Sequence, residues 1–448
     1  MTCDDVAMTV ADRGVRTPAD PVGIAGAVRA GRRTASDVAE SVLSRVRARD
    51  IAPALFAGVD AERLRAEATA LDTRADRFAL PLAGVPVAVE DGIDVAGRAT
   101  RHGSTATADT PVRRDDVLVR RLRAAGALVV GTTIAPELGL GRDGAPGGRA
   151  TAAATGEGLA ALSIGIDGDG ALRAAAAAHG LLALTPGRRE LPLPGGAPRL
   201  WSGLAGTTVL AADVDGVRVA FEVLRASRAG AVPRQGTAPG WASPGGALFP
   251  PGRAPRPVTV TDGVEDLPAP RAVACSLRSG RGLWADPRSC GAVHAAARRL
   301  AESDVAVSAD DPPYRAWLPA QVSRRRDAGV ARRVDELGLD PDLLGPDVRA
   351  ALRRDRQVRR LGGPRPASPG RWRQRAVALF DDGGYDVLLL PAPADGEPPA
   401  CLSAWNLAGL PSLVAPVRWG DERRPVQLVG RAGSERLLLG TAALLEER

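Results

Sequence analysis

The hydrophobic period changes twice between Leu82 and Val130, and no other stretch constrains the fold of this chain as tightly. Val85, Val87 and Val89 alternate as a strand, and Glu90-Asp91-Gly92 follow at its end, where charged groups are expected to leave the core. Asp115 to Ala125 takes the helical period and is closed by Gly126 as a residue past the cap. Ala127-Leu128-Val129-Val130 is then a short apolar run of the kind buried in a parallel sheet. Strand, helix and strand in that order make an α/β fold.

Around this unit the rest of the chain takes its place. Thr34 followed by Asp37 is a capping-box pattern ahead of Val38, Val42, Leu43 and Val46, and a second helix is expected over Ala61 to Leu71. Residues 1–80 therefore read as an N-terminal helical layer on an α/β domain of residues 81–448, the whole forming one compact unit. Further on, an Ala-rich helix is expected over Ala150 to Ala161, a strand over Leu162 to Ile166, a turn at Asp167-Gly168-Asp169-Gly170 and a helix over Ala171 to His179. Backbone N–H groups of such a turn form an anion or oxyanion cradle. Residues 230–270 are dense in Pro and Gly and read as an irregular excursion. Ala272 to Cys275 and Asp304 to Val307 read as strands around a helix over Ser289 to Ala301; Arg315 to Arg371 reads as helical with breaks, Tyr385 to Leu390 as a strand and Glu435 to Glu446 as a final helix.

Composition limits the chemistry. All 59 basic residues are arginine, so a Schiff base, a lysine general base and a phosphate-loop lysine are excluded together. Aromatics make up only 3% of the 448 residues, which leaves Ala, Val and Leu to fill the core. The net charge of +7 is spread among 52 acids; Arg324 to Arg326, and Arg356, Arg359 and Arg360, read as solvated helix faces, and no nucleic-acid partner is expected. Cys3, Cys275, Cys290 and Cys401 form no CxxC pair and suit a reducing, cytoplasmic setting. Met1 to Ala19 is not a signal peptide, and no apolar run reaches the length of a membrane span. Asp167 and Asp169 lack further ligands at a recognisable spacing, so neither a metal nor another cofactor is expected.

Several segments, in order, resemble the amidase signature family. Gly84-Val85-Pro86-Val87-Ala88-Val89-Glu90-Asp91 is similar to its "G-x-P-x-x-V-K-D" segment, and Ala125-Gly126-Ala127-Leu128-Val129-Val130-Gly131-Thr132-Thr133 to "A-G-A-x-x-x-G-K-T". Gly165-Ile166-Asp167-Gly168-Asp169-Gly170-Ala171-Leu172-Arg173 resembles "G-T-D-T-G-G-S-I-R". Tyr385 to Pro391, Asn406 to Pro411 and Gln427 to Gly430 are similar to three late motifs. The resemblance implies a mixed central β-sheet surrounded by helices, and amide hydrolysis by a serine nucleophile, a relay serine and a lysine base.

The departures fall on those three residues. Ala171 stands at the nucleophile and Glu90 at the lysine, while the relay position falls on Gly147 or Arg149, depending on where the glycine pair is aligned. The resemblance thus implies a member without Ser-Lys chemistry. Glu90, His102 and Asp169 are the candidate catalytic groups, two carboxylates and an imidazole able to share acid and base duties. Asp91, Asp167, Gly168, Gly170, Ala171, Arg173 and Arg149 are candidates for the pocket or its oxyanion-type turn. Plainer roles stand beside these: Glu90 pairing with Arg149 or Arg173, Asp167 ordering the turn, His102 as an ordinary loop residue, and His179 and His294 as packing or surface residues. Ser104, Ser163 and Cys401 are candidate substitute nucleophiles, and none carries a nucleophile-elbow or Cys-His signature. Three functions remain open: a repurposed lyase, isomerase, cyclase or condensation-type enzyme on a small carbonyl, amide or acyl metabolite; a noncatalytic pseudo-amidase that binds a metabolite or stabilises a protein partner; or an amidohydrolase with a replaced nucleophile. The expected partner is a small molecule, with a homodimer or a biosynthetic protein partner left open.

Overall fold

The computed structural model describes residues 19–140, 148–196, 200–225, 266–280, 282–361, 370–393 and 400–446. The residue-147 side of the relay match and nearly all of the 230–270 excursion therefore lie outside the described residues. A single mixed sheet runs through the described residues. Its strands are β1 (Phe56–Val59), β2 (Pro86–Glu90), β3 (Leu128–Thr133), β4 (Leu162–Asp167), β5 (Leu182–Thr185), β6 (Gly206–Ala211), β7 (Ala272–Cys275), β8 (Ala306–Ala309), β9 (Val387–Pro391), β10 (Ser412–Trp419) and β11 (Glu422–Gly430). They lie in the order β1-β3-β2-β4-β6-β5-β10-β11-β9-β7-β8. β2 runs parallel to both β3 and β4, β7 runs parallel to β8 and β9, and the strands between are antiparallel.

Helices cover both faces, as the order of elements implies. Val87, Val89 and Ile164 pack on one side with Leu118, Phe221 and Leu438. Ala88 and Val130 pack on the other with Val42, Ala153 and Ala154. β2 is thus buried on both faces, and Glu90 and Asp91 do not leave the core as their charge suggested: they are 5% and 7% exposed. That burial governs the site.

Local signals held where the chain supplies its own partners. Thr34 Oγ1 accepts from the Asp37 N–H at 2.9 Å and the Asp37 carboxylate accepts from the Thr34 N–H at 3.0 Å, closing the capping box of the helix Ala35–Ala48. The expected helix over 150–161 is shorter, Arg149–Gly156, because Leu159 to Ala161 lead straight into β4. The strand expected at 304–307 is shifted to Ala306–Ala309. Within the segment read as a helical layer, Phe56–Val59 joins the sheet as an edge strand against β3. β5, β6 and the β10–β11 hairpin also join the sheet, none of them marked by a clean alternation of apolar and polar residues.

One buried ion pair ties the middle of the sheet together. Arg173, on the helix Ala171–Ala178, donates through Nε to Asp167 Oδ2 at 2.6 Å, and both residues are wholly buried. The same guanidinium donates to Ser412 Oγ on β10 at 2.6 Å and to Asn406 Oδ1 on the helix Ala400–Ala408, while Asn406 Nδ2 donates back to the Asp167 carbonyl at 2.9 Å. Removing one partner of such a pair leaves an unpaired buried charge. Arg173→Met is expected to lower the unfolding free energy by about 3–5 kcal/mol, measured by urea denaturation. A loss of under about 1 kcal/mol would mean that the network contributes little to the fold.

Candidate active site

The carboxyl ends of β2 and β4 bring the site together. Glu90 is the last residue of β2; Asp167 is the last of β4, and the turn Gly168–Gly170 leads into the helix that begins at Ala171. Gly170 has φ +94° and takes the left-handed conformation that lets the chain reverse into the helix. A cavity of about 60 Å³ opens here. Its polar wall is Glu90, Asp91, His102, Asp169 and Arg333, and Gly168 and Ala171 complete the turn side. All three catalytic candidates therefore face one space.

Glu90 sits at the centre of the electrostatics. Its Oε2 accepts from the Ile166 N–H at 2.5 Å, an approach that requires glycine at 165, where a Cβ would lie 2.6 Å from the same oxygen. Burial pushes its carboxyl up to about 8; the Ile166 N–H opposes the shift, and the neighbouring Asp167 and Asp91 add to it. At neutral pH the group is a neutral acid with an O–H to give. It pairs with neither Arg149 nor Arg173, since Arg173 is committed to Asp167. The donors of Arg173 are instead placed on Asp167, Ser412 and Asn406.

Asp91 shapes the loop that carries the histidine. Its two oxygens accept from the N–H groups of Arg101 at 2.8 Å and Gly103 at 3.0 Å, which pins the loop on either side of His102. His102 has φ +50°, uncommon for a residue with a Cβ, and its Nε2 lies 3.0 Å from Arg333 Nη2. A guanidinium only donates, so Nε2 is the accepting, unprotonated nitrogen and the ring proton resides on Nδ1. Burial, with Arg333 beside it, lowers the imidazole to about 4. The sequence expectation of a near-neutral acid/base is thereby corrected: His102 is in the cavity as a neutral Nδ1–H donor, with its lone pair already engaged.

The turn behaves differently from an open oxyanion cradle. Asp167 Oδ1 accepts from the Gly170 N–H at 2.6 Å, and Asp169 Oδ1 accepts from the Ala171 N–H at 3.3 Å. Asp169 Oδ2 also meets Arg326 Nη1 at 3.3 Å; burial pushes this carboxyl up, and Arg326 pulls it back. The chain's own carboxylates thus sit on two of the turn's donors.

Other candidates fall outside the cavity lining. Asp167, Gly170, Arg173 and Arg149 do not line it: the first three are built into the turn and the ion pair, and Arg149 opens the helix Arg149–Gly156. Ser104 Oγ is bonded to Glu137 at 2.6 Å and Ser163 Oγ to Thr155 at 2.6 Å, both buried, and Cys401 lies in the helix Ala400–Ala408; none of the three lines the cavity. Arg324 to Arg326 are not simply a solvated face, because Arg325 is buried and donates to the Ser202 carbonyl at 2.9 Å while Arg326 reaches Asp169. Arg326 and Arg333, two turns apart on the helix Leu318–Leu337, were legible as a shared face by helical spacing, whereas their target was not. Trp201 gave no signal at all.

Comparison with known proteins fits this architecture. A family model described as Amidase matches residues 37–151. A Mycobacterium tuberculosis protein named AmiB2, assigned as an amidase, is 30% identical over 468 residues, spanning 93% of this chain and 93% of its own. The chain belongs to the amidase signature family. A second relative, the 1-carboxybiuret hydrolase subunit AtzE of a Pseudomonas species, is 33% identical over 227 residues, 46% of this chain and 49% of its own. Among solved structures, this amidase-family chain superposes with a TM-score of 0.71 and 26% identity on a chain from an inhibitor-bound vestigial complex linked to the origins of an s-triazine catabolic enzyme, covering 95% and 98% of the two chains. The 6-aminohexanoate cyclic dimer hydrolase gives a TM-score of 0.76 at 21% identity, covering 96% and 97%, a likeness of fold. Among the described residues no helix is long and apolar enough to cross a membrane.

Two measurements check the electrostatics. Because Glu90 is raised in the fold, the unfolded chain ionises it above about 4.5 while the folded chain holds its proton to about 8, so this residue erodes stability by about 1.4 kcal/mol per pH unit across that window. Glu90→Gln mimics the protonated form, and its gain in unfolding free energy over the wild type should be near zero at pH 4.5 and grow toward pH 8; a gain that does not change with pH would contradict the burial argument. The His102 imidazole, followed by NMR, should show no titration between pH 5.5 and pH 8, and a midpoint near the ordinary value of 6.5 would contradict its assignment as neutral.

Proposed function

We propose that this chain does not hydrolyse amides by Ser-Lys chemistry and instead binds a small carbonyl, amide or acyl metabolite, on which Glu90 acts as a proton donor. The observation that carries the proposal is that the buried Glu90, its carboxyl pushed up to about 8 by burial, lines the same cavity as the methyl group of Ala171. A methyl group cannot attack a carbonyl, and no lysine exists in the chain to act as base. A buried carboxylic acid at about 8 is poised to give a proton at neutral pH and to take it back above that value. Asp169 supplies the second carboxylate. Its affinity for protons is raised by burial, which makes it a better base than an exposed aspartate, and Arg326 keeps its charge from being wholly uncompensated.

In this reading a substrate carbonyl oxygen takes the Glu90 proton while Asp169 removes a proton from the adjacent carbon, giving an enol. The enol isomerises as the two protons are returned, expels a leaving group from the next carbon as Asp169 or water delivers a proton to it, or attacks the carbonyl carbon of a second substrate molecule. The Nδ1–H of His102, fixed by Arg333, is a donor that orients the bound molecule. A second reading, metabolite binding without turnover, is favoured by one observation: Asp167 and Asp169 already occupy the N–H groups of Gly170 and Ala171.

Deuterium exchange separates these readings. With a panel of small amides, ketones and acyl compounds in D₂O, the wild type should exchange protons next to the carbonyl of its ligand, and Glu90→Gln and Asp169→Asn should each slow this by about 10²-fold or more. Exchange at the wild-type rate in Glu90→Gln would remove Glu90 from the chemistry, and saturable binding with no exchange would favour the second reading. A fluorophosphonate serine probe should label neither the wild type nor Ala171→Ser, since the restored hydroxyl still lacks a lysine base; rapid labelling of the variant would show that a working base is present.

A further inference from the structure

Trp201 occupies the cavity wall at an unusual cost to its surroundings. It lies in the short turn Leu200–Gly203, only 8% exposed, with φ +49°, and Ser202 follows at φ +52°. Left-handed conformations are strained for a bulky residue and persist only where the surroundings hold them. Three glycines from separate elements make the space. A Cβ at Gly139 would lie 1.9 Å from Cζ2 of the indole, and one at Gly168 would lie 1.9 Å from its Cε3. A Cβ at Gly329 would lie 2.4 Å from the Trp201 Cα. Gly329 sits inside the helix Leu318–Leu337, where glycine is unfavourable, and neither it nor Gly168 has a positive φ that would call for glycine. The close approach of Trp201 is what these two positions require. From the same helix Arg325 donates to the Ser202 carbonyl at 2.9 Å, so the turn is gripped as well as accommodated.

The indole is therefore a fixed wall. Gly139 and Gly168, which clasp its two edges, both line the cavity, and the ring spans the gap between them. About 60 Å³ remains beside the ring, more than the roughly 10–15 Å³ that one water needs. Glu90 and His102, which line the same cavity, fix where a carbonyl binds; the ring fixes how much can follow it.

We propose that Trp201 is the residue that sets the size of the ligand, restricting this cavity to short-chain carbonyl, amide or acyl compounds and excluding aromatic or branched ones. The inference deepens the reading given above and rests on it only in taking the cavity as the ligand site. Truncating the indole opens room beside Gly139 and Gly168 without touching Glu90, Asp169 or His102.

The test compares acetamide with benzamide by ligand-observed NMR on the wild type, Trp201→Ala and the milder Trp201→Leu, each first checked for native far-UV circular dichroism. Benzamide should bind Trp201→Ala about tenfold or more tighter than the wild type, with Trp201→Leu between, because a pocket discriminates by size to about that extent. Benzamide affinity equal in the wild type and the folded variants, or absent from all of them, would overturn the proposal. Should Trp201→Ala fail to fold, the same comparison with Trp201→Leu decides it. Glu90→Gln, measured in parallel, distinguishes the two claims: unchanged proton exchange there removes the chemistry proposed for Glu90 and leaves the benzamide comparison standing.

Discussion

The pairing of Asp167 with Arg173 in the middle of the sheet is the constraint on which the site depends. A guanidinium with no exposure must place every donor, and Arg173 does so across β4, β10 and the helix Ala400–Ala408. That network fixes the end of β4, and with it the turn that presents Gly168, Asp169 and Ala171. Charge-assisted bonds of this kind are short and directional, so they locate the turn more rigidly than apolar packing could. Replacing a buried pair by well-packed apolar groups is often neutral, whereas removing one partner leaves an uncompensated buried charge.

The consequence is a concentration of acids at one end of two parallel strands. Asp167 is neutralised by Arg173 and Asp169 meets Arg326, whereas Glu90 accepts from the Ile166 N–H and has no cationic partner among the described residues. With burial opposing its charge, it keeps its proton instead. A lysine at this position would be surrounded by the same aspartates and would gain from them. The family's mixed sheet with helices on both faces is retained, and a buried carboxyl group stands at the end of β2. His102 adds no second titrating group in the physiological range, because burial, with Arg333 beside it, lowers the imidazole to about 4.

How much of this was legible in the sequence varied with the range of the interaction. The β2–β3 unit and the capped helix at Ala35–Ala48 were readable because period, cap and breaker lie within a few residues of one another. The ordered motifs located Glu90, Asp91, Asp169 and Ala171 near one another before any fold was known, and the structure places all four on the cavity. Arg173 and Asp167 were assigned to the same pocket, yet they face the sheet: the direction of a side chain at the start of a helix depends on the turn before it, which spacing does not encode. Trp201 was illegible for a related reason. Its place depends on Gly139, Gly168 and Gly329, which are distant in sequence, and a glycine required by a neighbour looks in sequence like any other glycine. His102 is legible as a site residue but its neutral state is not, because that state depends on burial and on Arg333, which reaches it from a helix more than two hundred residues later.

The central claim is that Glu90 is a neutral carboxylic acid at physiological pH, and infrared difference spectroscopy reads this without a substrate. Spectra of the wild type and Glu90→Gln, recorded from pH 6 to pH 9.5, isolate the carbonyl stretch of the one acid that differs. The account predicts a protonated carboxyl band at pH 7 that belongs to Glu90 and is lost with a midpoint near 8. A carboxylate signal already complete at pH 6, with no protonated band to lose, would contradict it.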